Sequence, residues 1–224
     1  RTKYCVNLRS DMLVVNCNIL LSLKKANTLK RPSPLLTDDW VICTNLTTYN
    51  VRRLAKPLAI CDWIYIGRTN DVIKFFDIEM YPEKYFEYFV KAPNNYGDFT
   101  RQRYSAEQWI ILNAYQRELN RRCVKFDYCF DDNERVLNFH SNIIANDIRI
   151  FSMSSLGLKS FKYKIYNFSM YRMLSEKEWK KNYFIVNNIY MSKRERVSVF
   201  YDPIRICYDL ISMKWPRVLR RKFR

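Results

Sequence analysis

Glycine is scarce in this chain, with 3 residues among 224. They form neither a G-x-x-x-x-G-K phosphate loop nor a G-x-G-x-x-G dinucleotide turn, so any nucleotide must be held without a glycine-rich cradle. Histidine is scarcer still. His140 is the only one, which excludes a poly-histidine metal site within the chain and leaves one imidazole for any Ser-His-Asp or Cys-His arrangement. A lone histidine is more often structural. C-x-x-C pairs are lacking too. The 7 cysteines (Cys5, Cys17, Cys43, Cys61, Cys123, Cys129 and Cys207) are irregularly spaced, which excludes zinc ribbons and thioredoxin-like chemistry. Several stand in apolar runs, as in Leu58-Ala59-Ile60-Cys61-Asp62-Trp63, and read as buried free thiols in a reducing, cytoplasmic setting. No apolar run approaches the length of a membrane span, and no signal peptide precedes the first strand. The chain starts at Arg1, and the expectation is that an N-terminal part is missing.

What is present suits a core. Hydrophobic residues make up 48% of the chain, enough for one sizeable domain. We assign it to residues 1–212, with 213–224 as a basic amphipathic tail. The net charge of +17 draws polyanions such as nucleic acid, acidic phospholipid or nucleotide-sugar phosphates, and charge alone does not choose among them.

Strand patterns occur at Tyr4–Leu8, Trp40–Thr44, Asp62–Gly67, 124–128 and Ile148–Phe151, and an apolar run covers Met12–Val15. Asn18–Leu29 reads as a short helix or a turn, and Lys30-Arg31-Pro32-Ser33-Pro34 as a connector. Asn70-Asp71 is placed to cap a segment 72–81, and Pro82-Glu83 to open a helix over 84–90. Two capping boxes stand out. Ser105 with Gln108 opens a helix running to Arg121-Arg122, and Ser175 with Glu178 opens one at Glu176–Lys181. Strands alternate with helices, which predicts an α/β layered domain with ligands beyond the carboxyl ends of the strands.

Two polar clusters sit at such ends, Arg9-Ser10-Asp11 and Gly67-Arg68 after the Asp62 strand, and three acidic residues are candidates for chemistry. Asp11 ends the first strand behind Arg9 and Ser10. It serves either as a ligand for a divalent cation on a diphosphate, with Arg9 pairing phosphate, or as a turn aspartate balanced by a surface arginine. Asp62 lies beside Trp63 in an apolar stretch, where a buried carboxylate needs a partner or a task. Glu107 stands in the first turn of a helix, either as a dipole-favourable charge or as a general base.

Together these segments resemble a family. Tyr4-Cys5-Val6-Asn7-Leu8-Arg9-Ser10-Asp11-Met12 resembles the "K-x-R-S-D" strand end of the WavE lipopolysaccharide-synthesis family. Asp62-Trp63-Ile64-Tyr65-Ile66-Gly67, followed by Asp71, is similar to its "S-D-W-F-x-F-G" segment. Tyr104-Ser105-Ala106-Glu107-Gln108-Trp109 resembles its "P-E-Q-Y" helix start. Leu156-Gly157-Leu158-Lys159 with Lys162-Tyr163 resembles its "L-G-…-K-Y" stretch. Asn7 stands where a lysine is usual, Cys61 where a serine is, and Ala106 where a proline is.

The resemblance implies a glycosyltransferase of GT-A-like, Rossmann-type fold, with an upstream nucleotide-binding segment absent here, acting in bacterial surface polysaccharide assembly. It implies a nucleotide-sugar donor and a glycan or lipid-linked glycan acceptor. On that reading Arg9, Ser10 and Asp11 bind the donor, with Asp11 holding any Mg²⁺ or Mn²⁺. Arg-Ser-Asp in place of Asp-x-Asp puts metal dependence in question. Glu107 or Asp62 takes the acceptor proton, and Trp63, Tyr65 and Asp71 line the acceptor. The tail, with Trp215, Leu219 and Phe223 among its cations, suits an anionic membrane at the inner face or a solvated terminus. Two rival readings remain: a basic nucleic-acid-binding module, which the absence of a recognition motif disfavours, and an inactive transferase fragment.

Overall fold

A computed structural model describes residues 3–16, 18–83, 104–126, 129–160 and 173–191. The expected helix over 84–90, Lys162-Tyr163 and the basic tail lie outside these residues. The described chain is mixed α/β. Its first strand, β1 (Tyr4–Leu8), is followed by β2 (Met12–Val14) and helix α1 (Asn18–Ala26). Next come β3 (Val41–Thr44), β4 (Ile64–Arg68) and α2 (Thr69–Phe76). Helices α3 (Ala106–Ala114), α4 (Gln116–Arg121) and α5 (Glu134–Asn146) precede β5 (Ile148–Phe151). The short α6 (Met153–Leu156), β6 (Leu158–Ser160) and α7 (Glu176–Val186) complete the described elements.

The main sheet has the order β1-β4-β3-β5, and a two-stranded sheet pairs β2 with β6. β4 runs antiparallel to both β1 and β3, while β3 and β5 are parallel. It follows that β1, β3 and β5 all point one way and β4 the other. Leu8 faces Ile64 in register, and Thr44 faces Phe151. The carboxyl ends of three strands and the beginning of β4 therefore share one end of the sheet.

β3 and β5 are buried along their whole length, as strands covered on both faces must be. On one side α7 packs against β5 and α5. Trp179 stacks on Tyr183 at 5.4 Å and meets Trp40 edge-on at 5.5 Å. The Trp179 indole N–H donates to the Ile144 and Ile148 carbonyls, so its polar end is satisfied inside the core. The Arg149 guanidinium lies 3.6 Å from the centre of the Trp179 ring. Each large side chain buried this completely contributes about 1.5–3 kcal/mol.

Both expected capping boxes form, at Ser105/Gln108 and at Ser175/Glu178. Several boundaries differ from expectation. The 124–128 stretch forms no strand over its described residues 124–126. Cys123 there adopts a left-handed φ of 51° and the Val124 N–H donates back to the Leu119 carbonyl, closing α4 in a Schellman-type end. The single helix expected from Ala106 to Arg121 is interrupted at Tyr115, whose hydroxyl donates to Asp147 at 2.9 Å. α2 begins at Thr69, before Asn70-Asp71, so Asp71 does not cap it.

Candidate functional site

The end of the sheet where β1, β3 and β5 finish is where ligands of such folds collect. Two chain segments are stitched together there. After β1 the chain turns sharply, with the Met12 N–H donating to the Arg9 carbonyl at 3.1 Å. The Arg9 N–H itself donates to the Trp63 carbonyl at 3.0 Å, prolonging the β1–β4 pairing into the turn. Arg9, Ser10 and Asp11 are thereby set beside Asp62 and Trp63.

Arg9 organises the cluster. Its Nε and Nη2 donate to the two Asp11 carboxylate oxygens at 3.1 and 2.9 Å, a bidentate fork. Its Nη1 lies 3.7 Å from Asp62 Oδ2, and its plane sits 4.8 Å above the Trp63 ring. That Nη1 contact is too long for a hydrogen bond. Asp62 Oδ1 is buried and has no hydrogen-bond partner. Asp62 precedes β4 and is not inside it, correcting the strand placement expected from sequence.

The segment carrying Asp62 is anchored at several points. The Cys61 N–H donates to Thr48 Oγ1, which donates to the Thr44 carbonyl at the end of β3. The Trp63 N–H donates to Cys61 Sγ at 3.3 Å. Upstream, Leu58 holds a left-handed φ of 61°, and its N–H donates to His140 Nδ1 at 3.0 Å. Burial pushes the His140 imidazole down to about 4, so it stays neutral and Nδ1 remains an acceptor. The lone histidine is structural, as its isolation in the sequence suggests.

Gln108 ties this segment to the helix that carries Glu107. Its Oε1 accepts from the Ser105 N–H, and its Nε2 donates to the Pro57 and Cys129 carbonyls at 2.7 and 2.8 Å. Sequence shows only the first of these bonds, through the capping-box spacing. The other two depend on segments that only the fold brings together. Glu107, one residue earlier, lies close enough for its charge to act on Asp62.

The Asp62 carboxyl is pushed up to about 6. Burial is the largest cause, the Glu107 charge adds to it, Arg9 opposes it and Asp11 adds a further increment. The three acids singled out in the sequence therefore share one neighbourhood. Other expected site residues do not open onto it. Trp63 is buried beneath Arg9, and Tyr65 is fully buried against Phe75 and Phe76 at 5.2 and 5.0 Å. Asp71, also buried, accepts from the Asp38 and Asp39 N–H groups at 2.8 and 2.9 Å and from Lys74. It pins the loop before β3 to α2.

Asp11 is the residue expected to hold any Mg²⁺ or Mn²⁺. Among the described residues no three His, Cys, Asp or Glu side chains come together to hold a metal, and both Asp11 oxygens accept from Arg9. These residues do not fit a ready-made cation cage. Among the described cysteines Cys43, Cys61 and Cys129 are buried free thiols, and burial pushes all three up, Cys61 to about 12. They are unreactive for that reason.

No described helix is long and apolar enough to cross a membrane. No curated protein and no solved structure matches the chain. The sequence profile described as WavE lipopolysaccharide synthesis matches residues 1–209, nearly the whole chain and the very segments that build the acid cluster, and the chain belongs to that family.

Proposed function

We propose that the chain is a glycosyltransferase that moves a sugar from a nucleotide-activated donor to a hydroxyl of a glycan acceptor in lipopolysaccharide synthesis, with Asp62 as general base. The observation that carries this reading is Asp62 itself. It is a part-buried carboxylate with one unpartnered oxygen, pushed up to about 6, at the sheet end where three strands finish. A base with a value near the working pH combines availability with proton affinity.

In the proposed step Asp62 takes the acceptor's hydroxyl proton. The acceptor oxygen bonds to the anomeric carbon, the bond from that carbon to the leaving phosphate breaks, and its electron pair departs on the nucleotide. One displacement of this kind inverts the anomeric centre. Ser10 and the solvent-facing edge of Arg9 supply donors toward the phosphates, offsetting the growing charge. Asp11 holds Arg9 in place. Glu107 keeps Asp62 basic through its charge. A GT-A-like organisation is consistent with a mixed sheet whose parallel strands end at the site. The rival nucleic-acid reading draws little from the described aromatics, since Trp40, Trp179, Tyr65, Tyr115 and Phe75 are fully buried and unavailable for base stacking.

The test is nucleotide release from a panel of nucleotide sugars, with and without added divalent cation, offered with lipid-linked and free glycan acceptors. Turnover by the wild type and a fall of about 10²–10⁴-fold in Asp62→Asn is expected for loss of a general base. Near-normal turnover in Asp62→Asn rejects Asp62, and no release from any donor rejects the transferase reading.

A further inference from the structure

We propose that α1, with Val15 shortly before it, forms a docking face for an anionic lipid surface. The face is apolar where a protein surface is normally polar. Val15, Leu20 and Leu21 are 59%, 63% and 64% exposed. On α1 the buried residues are Ile19, Ser22 and Ala26, a stripe that packs inward. The opposite side presents Leu20 and Leu21 one turn before Lys24 and Lys25, which are also exposed. Exposed leucines flanked by lysines are the composition of a helix lying at a membrane interface.

Charge selects the occupant. From Met12 to Thr37 the chain contains no Asp or Glu, while Lys24, Lys25, Lys30 and Arg31 all fall there. Arg31 is committed inward to Asp147 and the Lys25 ammonium lies 5.7 Å from the centre of the Phe151 ring, which leaves Lys24 and Lys30 as the outward charges with Lys25 exposed beside them. A second copy of this chain would bring like-charged lysines face to face, which is unfavourable. A nucleic acid would satisfy the lysines and leave the leucines and Val15 in water. A membrane rich in acidic headgroups satisfies both. The leucines enter the acyl boundary and the lysines meet the acidic headgroups.

In the chain only β2 (Met12–Val14) separates Asp11 of the acid cluster from Val15 of this face. The lipid contact itself does not depend on the transferase reading.

Vesicle co-sedimentation of the full chain tests it, using phosphatidylcholine alone and phosphatidylcholine with phosphatidylglycerol. The wild type is expected to bind the mixed vesicles and to leave the neutral ones. Leu20→Ser with Leu21→Ser, and separately Lys24→Glu with Lys25→Glu, are each expected to weaken binding at least about tenfold with the thermal melt unchanged. Three results overturn the proposal. They are a wild type that does not bind mixed vesicles, variants that bind them as the wild type does, and a wild-type dimer that Leu20→Ser with Leu21→Ser dissociates without altering vesicle binding.

Discussion

The two ends of the main sheet treat a buried aspartate in opposite ways. At the end where β3 and β5 begin, Asp147 is wholly enclosed and fully partnered. It accepts from Arg31 Nη2 at 2.8 Å, the Thr37 hydroxyl at 3.2 Å, the Tyr115 hydroxyl at 2.9 Å and the Leu35 and Leu36 N–H groups. Arg31 in turn donates to the Asn146 and Thr37 carbonyls. The polar network closes on itself, which is the condition under which buried charge is tolerated. At the other end Asp62 has one oxygen without a partner and another 3.7 Å from its nearest cation. The first arrangement holds the connector 31–37 against α5 and the sheet. The second leaves a carboxylate under-satisfied, a state that costs stability and is tolerated where chemistry needs it.

Substitutions can break this contrast. The largest effect on stability is expected from Asp147→Ala, which strands Arg31 in a buried place. A loss of about 3–5 kcal/mol in urea unfolding is the expected outcome, and a loss below about 1 kcal/mol would mean that the network relaxes around the gap. Asp62→Asn should move stability the other way. Because the folded carboxyl sits at about 6, above its ordinary 3.8, the folded state prefers the protonated form. The penalty for ionising it is absent below the ordinary value and fully developed above the folded one. The variant should therefore unfold like the wild type in acid and be more stable above pH 6, by about 1 kcal/mol after allowing for solvent screening. A destabilised variant in neutral buffer would make Asp62 a structural residue like Asp147. The smallest effect belongs to Glu107→Gln. Removing that charge should lower the Asp62 value and move the acidic limb of the pH–rate profile to lower pH, with far less loss of turnover than Asp62→Asn. An unmoved limb would disconnect the two acids.

One side of this contrast, Asp62, was legible in the sequence, while Asp147 and its partner Arg31 were not, because their pairing joins segments more than 100 residues apart. β1, β3, β5 and both capping boxes follow from local patterns that act over a few residues. Asp11 and Glu107 were identifiable because each sits at the end of an element, and Asp62 because it is a carboxylate in an apolar stretch. α5 was not, although its apolar residues Val136, Phe139, Ile143 and Ile144 recur at helical spacing. It also carries Asn138 and Asn142 on its outer side and the buried Asn146, and asparagines are poor helix formers. In the fold, the Asn142 and Asn146 amides donate to carbonyls one turn back and the buried face does the rest. Tyr65 and Trp63 were expected at an acceptor surface because aromatics beside a carboxylate suit sugars. Their burial is set by α2 and by Arg9, which no local pattern reveals. Asp71 looks like a cap in sequence and proves to be a clamp, because its partners lie more than 30 residues upstream.

The single imidazole has a consequence for experiment. His140 spends its Nδ1 lone pair on the Leu58 amide and gains a proton only at about 4. The usual source of charge change near neutrality is thus silent in this chain. Among the described side chains the Asp62 carboxyl is pushed up to about 6, so an inflection there that Asp62→Asn abolishes belongs to that carboxylate.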